Sequence, residues 1–258
     1  MPRFQIDPKN ILGGHVWLDK KESHHASSVL RLKPGDAVDL IDGRGHSFKG
    51  RITDTQEGFL GVRIQSSMAA PSTHSDHLLD DLQITFAVSV IKPERMELLI
   101  QKACELGVSS IIPVRSERSI IKLSRERWQE KIKRWRKIAA ESCKQCGLTV
   151  IPQVTELVDF KRLFSSVKNF DRILIPTLAV TTAPLYEALI QSNSRRILVL
   201  IGPEGDFTKK EAELAVAGGA MPVSLGPLVL RTETAAMYVL SVLNFFYREI
   251  YKKGKAGE

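Results

Sequence analysis

Two short apolar runs, each followed directly by a glycine-bearing turn, constrain the fold of this chain more than any other feature. Residues 197–201, ILVLI, form a branched-aliphatic run, which is typical of a strand buried on both faces of a parallel sheet. The turn Gly202-Pro203-Glu204-Gly205 follows it, and a second predicted strand, residues 222–225, runs into Gly226-Pro227. In open α/β sheets, ligands bind at the carboxyl ends of the strands, where glycines let backbone N–H groups approach closely. The sequence therefore predicts an α/β fold with a ligand site at these turns.

Each turn leads into a predicted helix. Thr208 and Glu211 have the spacing of a capping box, and Gly218-Gly219 ends the helix that they begin. Residues 230–235, LRTETA, lead into a last helix whose apolar residues recur at helical spacing. This pattern places Arg231 and Glu233 at a helix start beside the carboxyl edge of the sheet. The glycines match neither G-x-G-x-x-G nor a Walker A loop, because no Lys-Ser or Lys-Thr follows the second glycine.

The rest of the chain divides by pattern into a β-rich domain at residues 1–70, a polar linker at 71–82 and an α/β domain at 83–258. Several short alternating runs in the first domain predict a small β-barrel. In the second domain, strands alternate with helices, which is typical of a layered α/β fold. Its predicted strands are 83–91, 110–114, 172–176, 197–201 and 222–225, and its predicted helices include 93–106, 124–147 and one capped by Thr182 that starts near Pro184.

The charge of the chain favours a polyanionic partner. The net charge is +8 with a pI of about 9.4, although a soluble basic protein with no such partner has the same composition. The helix at 124–147 carries many arginines and lysines near its start, which form either a solvated face or a surface that contacts RNA. Arg115 and Arg118, just after a predicted strand, are further candidates for phosphate contacts.

Other composition features exclude several protein classes. Three cysteines, Cys104, Cys143 and Cys146, argue against a disulfide scaffold. A zinc site needs four ligands, and the nearest histidines lie in the predicted linker, so we expect no metal. No run is long and apolar enough to span a bilayer, and the N-terminus lacks the apolar core of a signal peptide. We therefore expect a cytoplasmic protein.

The two turn segments resemble a known family. Residues 201–207, IGPEGDF, and 225–235, LGPLVLRTETA, look like the paired signatures of the RsmE family, the ribosomal RNA small subunit methyltransferase E enzymes of the SPOUT superfamily. Further similarity covers nearly the whole chain in the order of that family. It includes residues 1–4, 30–32, 42–45, 92–107 and 116–119.

The resemblance implies a PUA-like RNA-binding barrel followed by a SPOUT domain with a trefoil knot. It also implies S-adenosylmethionine as cofactor, a homodimer with RNA bound across it, and methylation of N3 of a uridine in 16S ribosomal RNA, either as free RNA or in the 30S subunit. The residues then expected at the cofactor are Leu178, Gly202, Pro203, Glu204, Gly205, Leu225, Gly226, Leu230, Thr234 and Ala235, with the leucines also packing in the core. The residues expected at RNA are Arg3, Arg31, Arg44, Arg115, Arg118 and Arg134.

The proposed chemistry needs a cation and a proton acceptor. Uracil N3 is a poor nucleophile until it loses its proton, and a cation or an N–H group near the carbonyl oxygens favours the anion. We expect Arg231 in that role. Glu233 or Glu204 is expected to accept the proton or to hold Arg231, and the sequence leaves this choice open.

Two positions depart from the pattern of the family, and two other functions compete with the one it implies. Leu148 and Leu228 stand where the family commonly has arginine, which removes guanidinium groups that bind phosphate.

One alternative function is that of a non-catalytic RNA-binding protein that uses the knotted domain to dimerise. The other is a phosphate-binding α/β enzyme, which Glu204 disfavours because a carboxylate repels the anion.

Overall fold

The structure is a computed structural model and describes residues 1–69, 82–119, 121, 123–164, 167–190 and 194–247. The contacts group residues 1–69 with Ala140–Ile151, and they group the other described residues into a second unit. The predicted linker at 71–82 lies outside the described residues except for Leu82, which is buried. The predicted domain limits stay a prediction, and the placement of residues 140–151 with the first unit was not foreseen.

The first unit is built on a five-stranded sheet with the order β1-β3-β4-β5-β2. Strand β1 runs parallel to β3, and the other neighbours are antiparallel. Alternate side chains such as Phe4, Val38, Leu40 and Val62 are fully buried and form one core, as the period of a strand requires. The strands are β1 (Arg3–Gln5), β2 (His15–Trp17), β3 (Ala37–Ile41), β4 (His46–Gln56) and β5 (Phe59–Ala69). Helix α1 (Lys20–His24) begins at the N-cap Asp19 and continues into a π-helical turn, His25–Val29.

The second unit is built on an eight-stranded sheet in which every pairing is parallel. Its order is β11-β13-β10-β12-β6-β7-β8, and β9 also pairs with β7. Strand β10 lies between β12 and β13, so the two glycine turns flank its carboxyl end. The strands are β6 (Gln83–Ser89), β7 (Ser110–Arg115), β8 (Gln153–Val154), β9 (Val158–Asp159), β10 (Arg172–Pro176), β11 (Ala183–Pro184), β12 (Arg196–Ile201) and β13 (Ala220–Ser224).

The helices of this sheet follow the predicted alternation with two corrections. The capping box of Thr208 and Glu211 is confirmed at the start of α6. The helix expected near Pro184 begins at Leu185. Thr182 does not cap it, because Ala183–Pro184, which pairs with β13 as β11, lies between Thr182 and the helix. Strand β13 covers Ala220–Ser224, so it begins two residues earlier and ends one residue earlier than the predicted strand at 222–225. The helices are α2 (Pro93–Glu105), α3 (Arg125–Cys146), α4 (Phe160–Leu163), α5 (Leu185–Ile190), α6 (Lys209–Ala217) and α7 (Thr232–Phe245).

The end of α3 and the residues after it are fixed within the first unit. The Lys144 ammonium lies 2.6 Å from the Glu22 carboxylate, and both side chains are at least nine-tenths buried. Residues 149 and 151 exchange backbone hydrogen bonds with the β3–β4 loop, at Gly45 and Gly43. This buried ion pair and these backbone hydrogen bonds join the segment to the first unit.

Candidate functional site

A cavity of about 290 Å³ lies at the carboxyl ends of β10, β12 and β13. Its walls come from the segments that follow these three strands and from the first turn of α7. Adjacent parallel strands bring their carboxyl ends to one edge, which is the usual position of a ligand site in such sheets. The lining residues are 176–178, 201–206, 223–226, 228–230, 232 and 235.

Most of the residues predicted to hold a cofactor line this cavity. These are Leu178, Gly202, Pro203, Glu204, Gly205, Leu225, Gly226, Leu230 and Ala235. Thr234 is exposed on α7 and is absent from the lining. Sequence reasoning missed the other lining residues, which are Pro176, Thr177, Ile201, Asp206, Val223, Ser224, Leu228, Val229 and Thr232. Five of these lie inside the two signature segments, so extending the site to every residue of each segment would have found Ile201, Asp206, Leu228, Val229 and Thr232.

The first turn needs glycine at its first position. A Cβ on Gly202 would come within 3.2 Å of Asp206 Oδ1 and within 3.3 Å of two atoms of Phe207. At Gly205 a Cβ would meet only the flexible side chain of Arg118, at 3.4 Å. In the second turn, Gly226 has a φ of 111°, in the region that favours glycine. All three glycines line the cavity, so the backbone of both turns forms part of its wall.

Asp206 links the first turn to the segment after β10. Its Oδ2 accepts hydrogen bonds from the Thr177 hydroxyl at 2.9 Å and from the Leu178 N–H at 2.6 Å. Its Oδ1 accepts one from the N–H of Phe207 at 2.7 Å. The first wall of the cavity is thus tied to the end of a neighbouring strand by a single carboxylate.

The cavity has apolar side chains at its mouth. Leu178, Leu228 and Val229 are 69%, 74% and 80% exposed, so the expectation that Leu178 packs in the core is wrong. Leu225 and Leu230 are partly exposed. Exposed apolar side chains beside backbone N–H and C=O groups suit a flat heteroaromatic ligand, because the side chains cover its faces and the backbone pairs with its edge.

Charged groups surround the first turn. Glu204 lines the cavity and pairs with Arg95, with 3.5 Å between Nη1 and Oε1. Arg118 donates from Nη1 to the Gly205 carbonyl at 2.5 Å, and its neighbour Glu117 accepts from the Thr208 hydroxyl at 3.0 Å. The loop after β7 therefore braces the turn after β12. Arg95 was not singled out from the sequence, where it reads as one charge on an amphipathic helix.

The other two predicted catalytic residues lie at the start of α7. Arg231 is the exposed N-cap residue. Glu233 lies in the first turn and is partly buried, and its Oε2 has no hydrogen-bond partner among the described residues although the atom is buried. Neither residue lines the cavity. Of the three predicted catalytic residues, the structure places only Glu204 at the cavity wall.

The arginines predicted to contact RNA fall into two groups. Arg3, Arg115, Arg118 and Arg134 each bind another part of the protein. Arg3 donates to the Lys144 carbonyl, Arg115 pairs with Asp159 at 3.2 Å, and Arg134 forms two hydrogen bonds with Glu97, which raise the pKa of Arg134. Arg31 and Arg44 are exposed, and their side chains have no ion-pair partner within the described part of the chain.

Two absences within the described part of the chain concern metal ions and membranes. No group of three or more His, Cys, Asp or Glu side chains arranged to hold a metal ion occurs among the described residues. Within those same residues, no helix combines the length and the apolar character needed to cross a membrane.

Comparisons with known proteins match both parts of the chain. A family profile described as an RNA methyltransferase domain matches residues 79–244, and one described as an RNA methyltransferase PUA domain matches residues 18–65. The ribosomal RNA small subunit methyltransferase E of Buchnera aphidicola is 27% identical over 96% of this chain and 94% of its own.

Two similar solved structures contain a bound ligand. The ribosomal RNA small subunit methyltransferase E of Neisseria gonorrhoeae, bound to S-adenosyl methionine, is 28% identical with a TM-score of 0.83 and covers 95% of this chain and 98% of its own. A methyltransferase of Legionella pneumophila in complex with the cofactor SAM is 31% identical with a TM-score of 0.81, over 94% and 96% of the two chains. The SPOUT-type sheet domain and the N-terminal PUA-like part predicted from the sequence are confirmed by these matches.

Proposed function

The chain belongs to the ribosomal RNA small subunit methyltransferase E family, and from this premise we propose that it methylates N3 of a uridine in 16S ribosomal RNA. The family membership supports methyl transfer to RNA from S-adenosylmethionine. The choice of N3 of uridine is the further step of the proposal. The observation that carries the methyltransferase proposal is the cavity at the two glycine turns, because residues of both signature segments line this one cavity.

The residues of the cavity fit S-adenosylmethionine. The backbone of Gly202, Gly205 and Gly226 is accessible to the edge of an adenine, and the side chains of Leu178 and Leu230 suit its faces. Pro203, Leu225 and Ala235 complete the walls, and Thr234 lies beside them on α7. When bound, this cofactor supplies a methyl group activated by a sulfonium. The carboxylate of Glu204 favours that cation and disfavours the phosphate ligand of the alternative α/β enzyme.

Glu204 is the proton acceptor that the geometry supports best. It lines the cavity with 29% of its side chain exposed, so it can approach a base that enters from solvent. Glu233 is the second candidate, because its buried Oε2 has an unused acceptor site among the described residues. We assign Arg231, exposed at the N-cap of α7, to the uracil carbonyl oxygen, where a cation stabilises the N3 anion.

RNA contact is proposed for both units. The match to the PUA domain covers Arg31 and Arg44, the two exposed arginines, which supports direct phosphate contacts there. Arg3, Arg115, Arg118 and Arg134 have partners within the protein, so RNA would have to compete for them or bind them as part of an ion-pair network. The trefoil knot, the homodimer, the cytoplasmic location and the choice between free RNA and the 30S subunit are parts of the same proposal, drawn from the family.

The proposal is tested in two steps. Calorimetric titration with S-adenosylmethionine, with ATP and NAD as controls, should give saturable binding near one cofactor per chain, or one per two chains in an asymmetric dimer. Incubation with unmodified 16S ribosomal RNA or 30S subunits should then yield one methylated uridine. A methyl group at N3 blocks the base-pairing edge, so reverse transcription should stop there. Saturable RNA binding without cofactor binding would instead favour the non-catalytic RNA-binding dimer.

A further inference from the structure

Asp206 occupies a backbone conformation that its residue type adopts only at a cost. Its φ is 59°, and only two other non-glycine residues in the described part of the chain have a positive φ. Aspartate and asparagine are tolerated in this region better than other side chains, but glycine adopts it with no steric cost. A side chain at such a position points to a role for its polar atoms.

The carboxylate has such a role across two loops. It accepts hydrogen bonds from Thr177 and Leu178, which follow β10, as well as from Phe207 in its own loop. Thr177 is 6% exposed, and its hydroxyl oxygen also accepts the N–H of Ala179 at 3.1 Å. The segment 177–179 is therefore held by a relay that begins at Asp206. Hydrogen bonds to an ionised group are about twice as strong as neutral ones.

The held segment is a wall of the cavity. Thr177, Leu178 and Asp206 all line it. Leu178 presents an apolar side chain that is 69% exposed, so packing of the side chain does not fix its position. The hydrogen bond from its backbone N–H to Asp206 is the contact that does.

We propose that Asp206 is a positioning residue for the cofactor, which holds the Leu178 wall in the conformation that binds S-adenosylmethionine. The inference rests on the proposed function. Without the carboxylate, segment 177–179 occupies the binding conformation only part of the time. The apparent dissociation constant then rises in inverse proportion to that fraction. Glu204 and Asp206 lie two residues apart and line the same cavity, so the transfer rate at saturating cofactor should also fall, but by a smaller factor than the affinity.

Two substitutions at one position separate this role from turn geometry. Asp206→Gly removes all three hydrogen bonds and relieves the strain of the positive φ. Asp206→Asn tolerates the same φ and keeps one side-chain oxygen, which can still accept from both Thr177 and Leu178, while the bond from Phe207 is lost. Thr177→Val removes one partner of the carboxylate with almost no change in side-chain shape.

The test measures the cofactor dissociation constant, kcat, KM and melting temperature of the wild type and the three variants. Asp206→Gly should weaken cofactor binding roughly tenfold or more, and kcat at saturating cofactor should fall by a clearly smaller factor. Asp206→Asn should restore affinity to within about threefold, and Thr177→Val should weaken binding less than glycine does.

The inference is overturned if Asp206→Gly binds the cofactor as tightly as the wild type, or if Asp206→Asn loses as much affinity as glycine. If Asp206→Gly fails to fold, the Thr177→Val variant decides: unchanged affinity would reject the role of the relay. A wild-type protein that does not bind S-adenosylmethionine would instead overturn the proposed function, so the two failures are distinguishable.

Discussion

The guanidinium of Arg95 lies 3.5 Å from the carboxylate of Glu204. Arg95 lies in the first turn of α2, which follows β6, and Glu204 lies in the turn that follows β12. These two strands are parallel neighbours, so the pair joins two adjacent loops at the carboxyl edge of the sheet. Both side chains remain partly exposed, at 35% and 29%. The pair therefore orients Glu204 beside the cavity without removing it from solvent.

The first prediction concerns the proton acceptor. Glu204→Gln should lower the single-turnover methylation rate by about 100-fold, which is the lower range for losing a general base. The cofactor dissociation constant should change by less than about threefold, because the amide keeps the size of the side chain. Arg95→Met, which frees Glu204 without removing it, should have a smaller effect on rate. A wild-type rate in Glu204→Gln, together with a slow Glu233→Gln, would move the role to Glu233.

The two glycines of the first turn should differ in their tolerance of a methyl group. Gly202→Ala places a Cβ within 3.2–3.3 Å of three atoms of Asp206 and Phe207, so the turn must shift and cofactor affinity should fall at least about tenfold. Gly205→Ala meets only the Arg118 side chain at 3.4 Å and should stay near wild type. Gly205→Arg should abolish binding, because it brings a second guanidinium against Arg118, the side chain that a Cβ at this position meets, and so displaces the turn. Calorimetric titration of the three variants checks the order, which equal losses at Gly202→Ala and Gly205→Ala would contradict.

The sequence predicted the parts of the site that depend on neighbouring residues. Residues 197–201 read as a buried strand because every side chain is apolar, and all five are buried. The capping box of Thr208 and Glu211 was visible because its two members are three residues apart. The two turns could be assigned to one site because parallel strands align their carboxyl ends.

The rest of the site depends on contacts between residues that are distant in the sequence. Arg95 and Glu204, or Asp206 and Leu178, meet only because β10, β12 and β6 are neighbours, and the order of strands in a parallel sheet does not follow from periodicity. Arg231 and Glu233 were placed near the correct helix start, but a helix position does not determine whether a side chain reaches a cavity. Strands of two residues, such as β8 and β9, are too short to produce a period.

Loss of one partner of the buried pair in the first unit should destabilise the protein strongly. Glu22→Gln removes the buried partner of the Lys144 ammonium, whose side chain is 8% exposed. Lys144 keeps its second ion pair, with Glu141 at 2.8 Å, so the loss should be about 2 kcal/mol in the free energy of unfolding. The double variant Glu22→Met, Lys144→Met should recover most of this loss. Lys21→Met, which breaks only the exposed pair with Glu141, should cost less than about 1 kcal/mol. Urea denaturation of the wild type and the three variants measures these differences, and equal losses for Glu22→Gln and Lys21→Met would contradict the prediction.

The Asp171–Arg196 pair should contribute an acid-sensitive part of the stability. Hydrogen bonds from the Arg196 side chain, followed by those from backbone N–H groups, lower the pKa of Asp171 from 3.8 to about 2. A lowered pKa means that the contribution is complete above pH 3.8 and is lost as the pH falls toward 2. After allowance for solvent screening, this amounts to about 1 kcal/mol or less. The free energy of unfolding of Asp171→Asn, measured between pH 5 and 2, should lack this pH-dependent step. A variant with the same acid profile as the wild type would contradict the prediction.

Arg31 and Arg44 should account for a measurable share of the salt dependence of RNA binding. Both are exposed and lack an ion-pair partner within the described residues, so they can pair with phosphate without breaking another contact. Each lost phosphate contact on single-stranded RNA should reduce the slope of log K against log salt by about 0.7. The double variant Arg31→Ala, Arg44→Ala should therefore bind 16S ribosomal RNA with a slope about 1.4 units shallower than the wild type.

Arg196→Ala is the matched control for this experiment. It removes one positive charge, as each substitution in the double variant does, but Arg196 begins β12 and pairs with Asp171, at the end of the strand opposite to the cavity. Its slope should equal that of the wild type, whereas a general effect of net charge would reduce the slope in all variants. If the Arg31 and Arg44 variants keep the wild-type slope while Arg115→Ala or Arg134→Ala lowers it, the principal RNA contacts lie in the second unit and the ion pairs of Arg115 and Arg134 open when RNA binds.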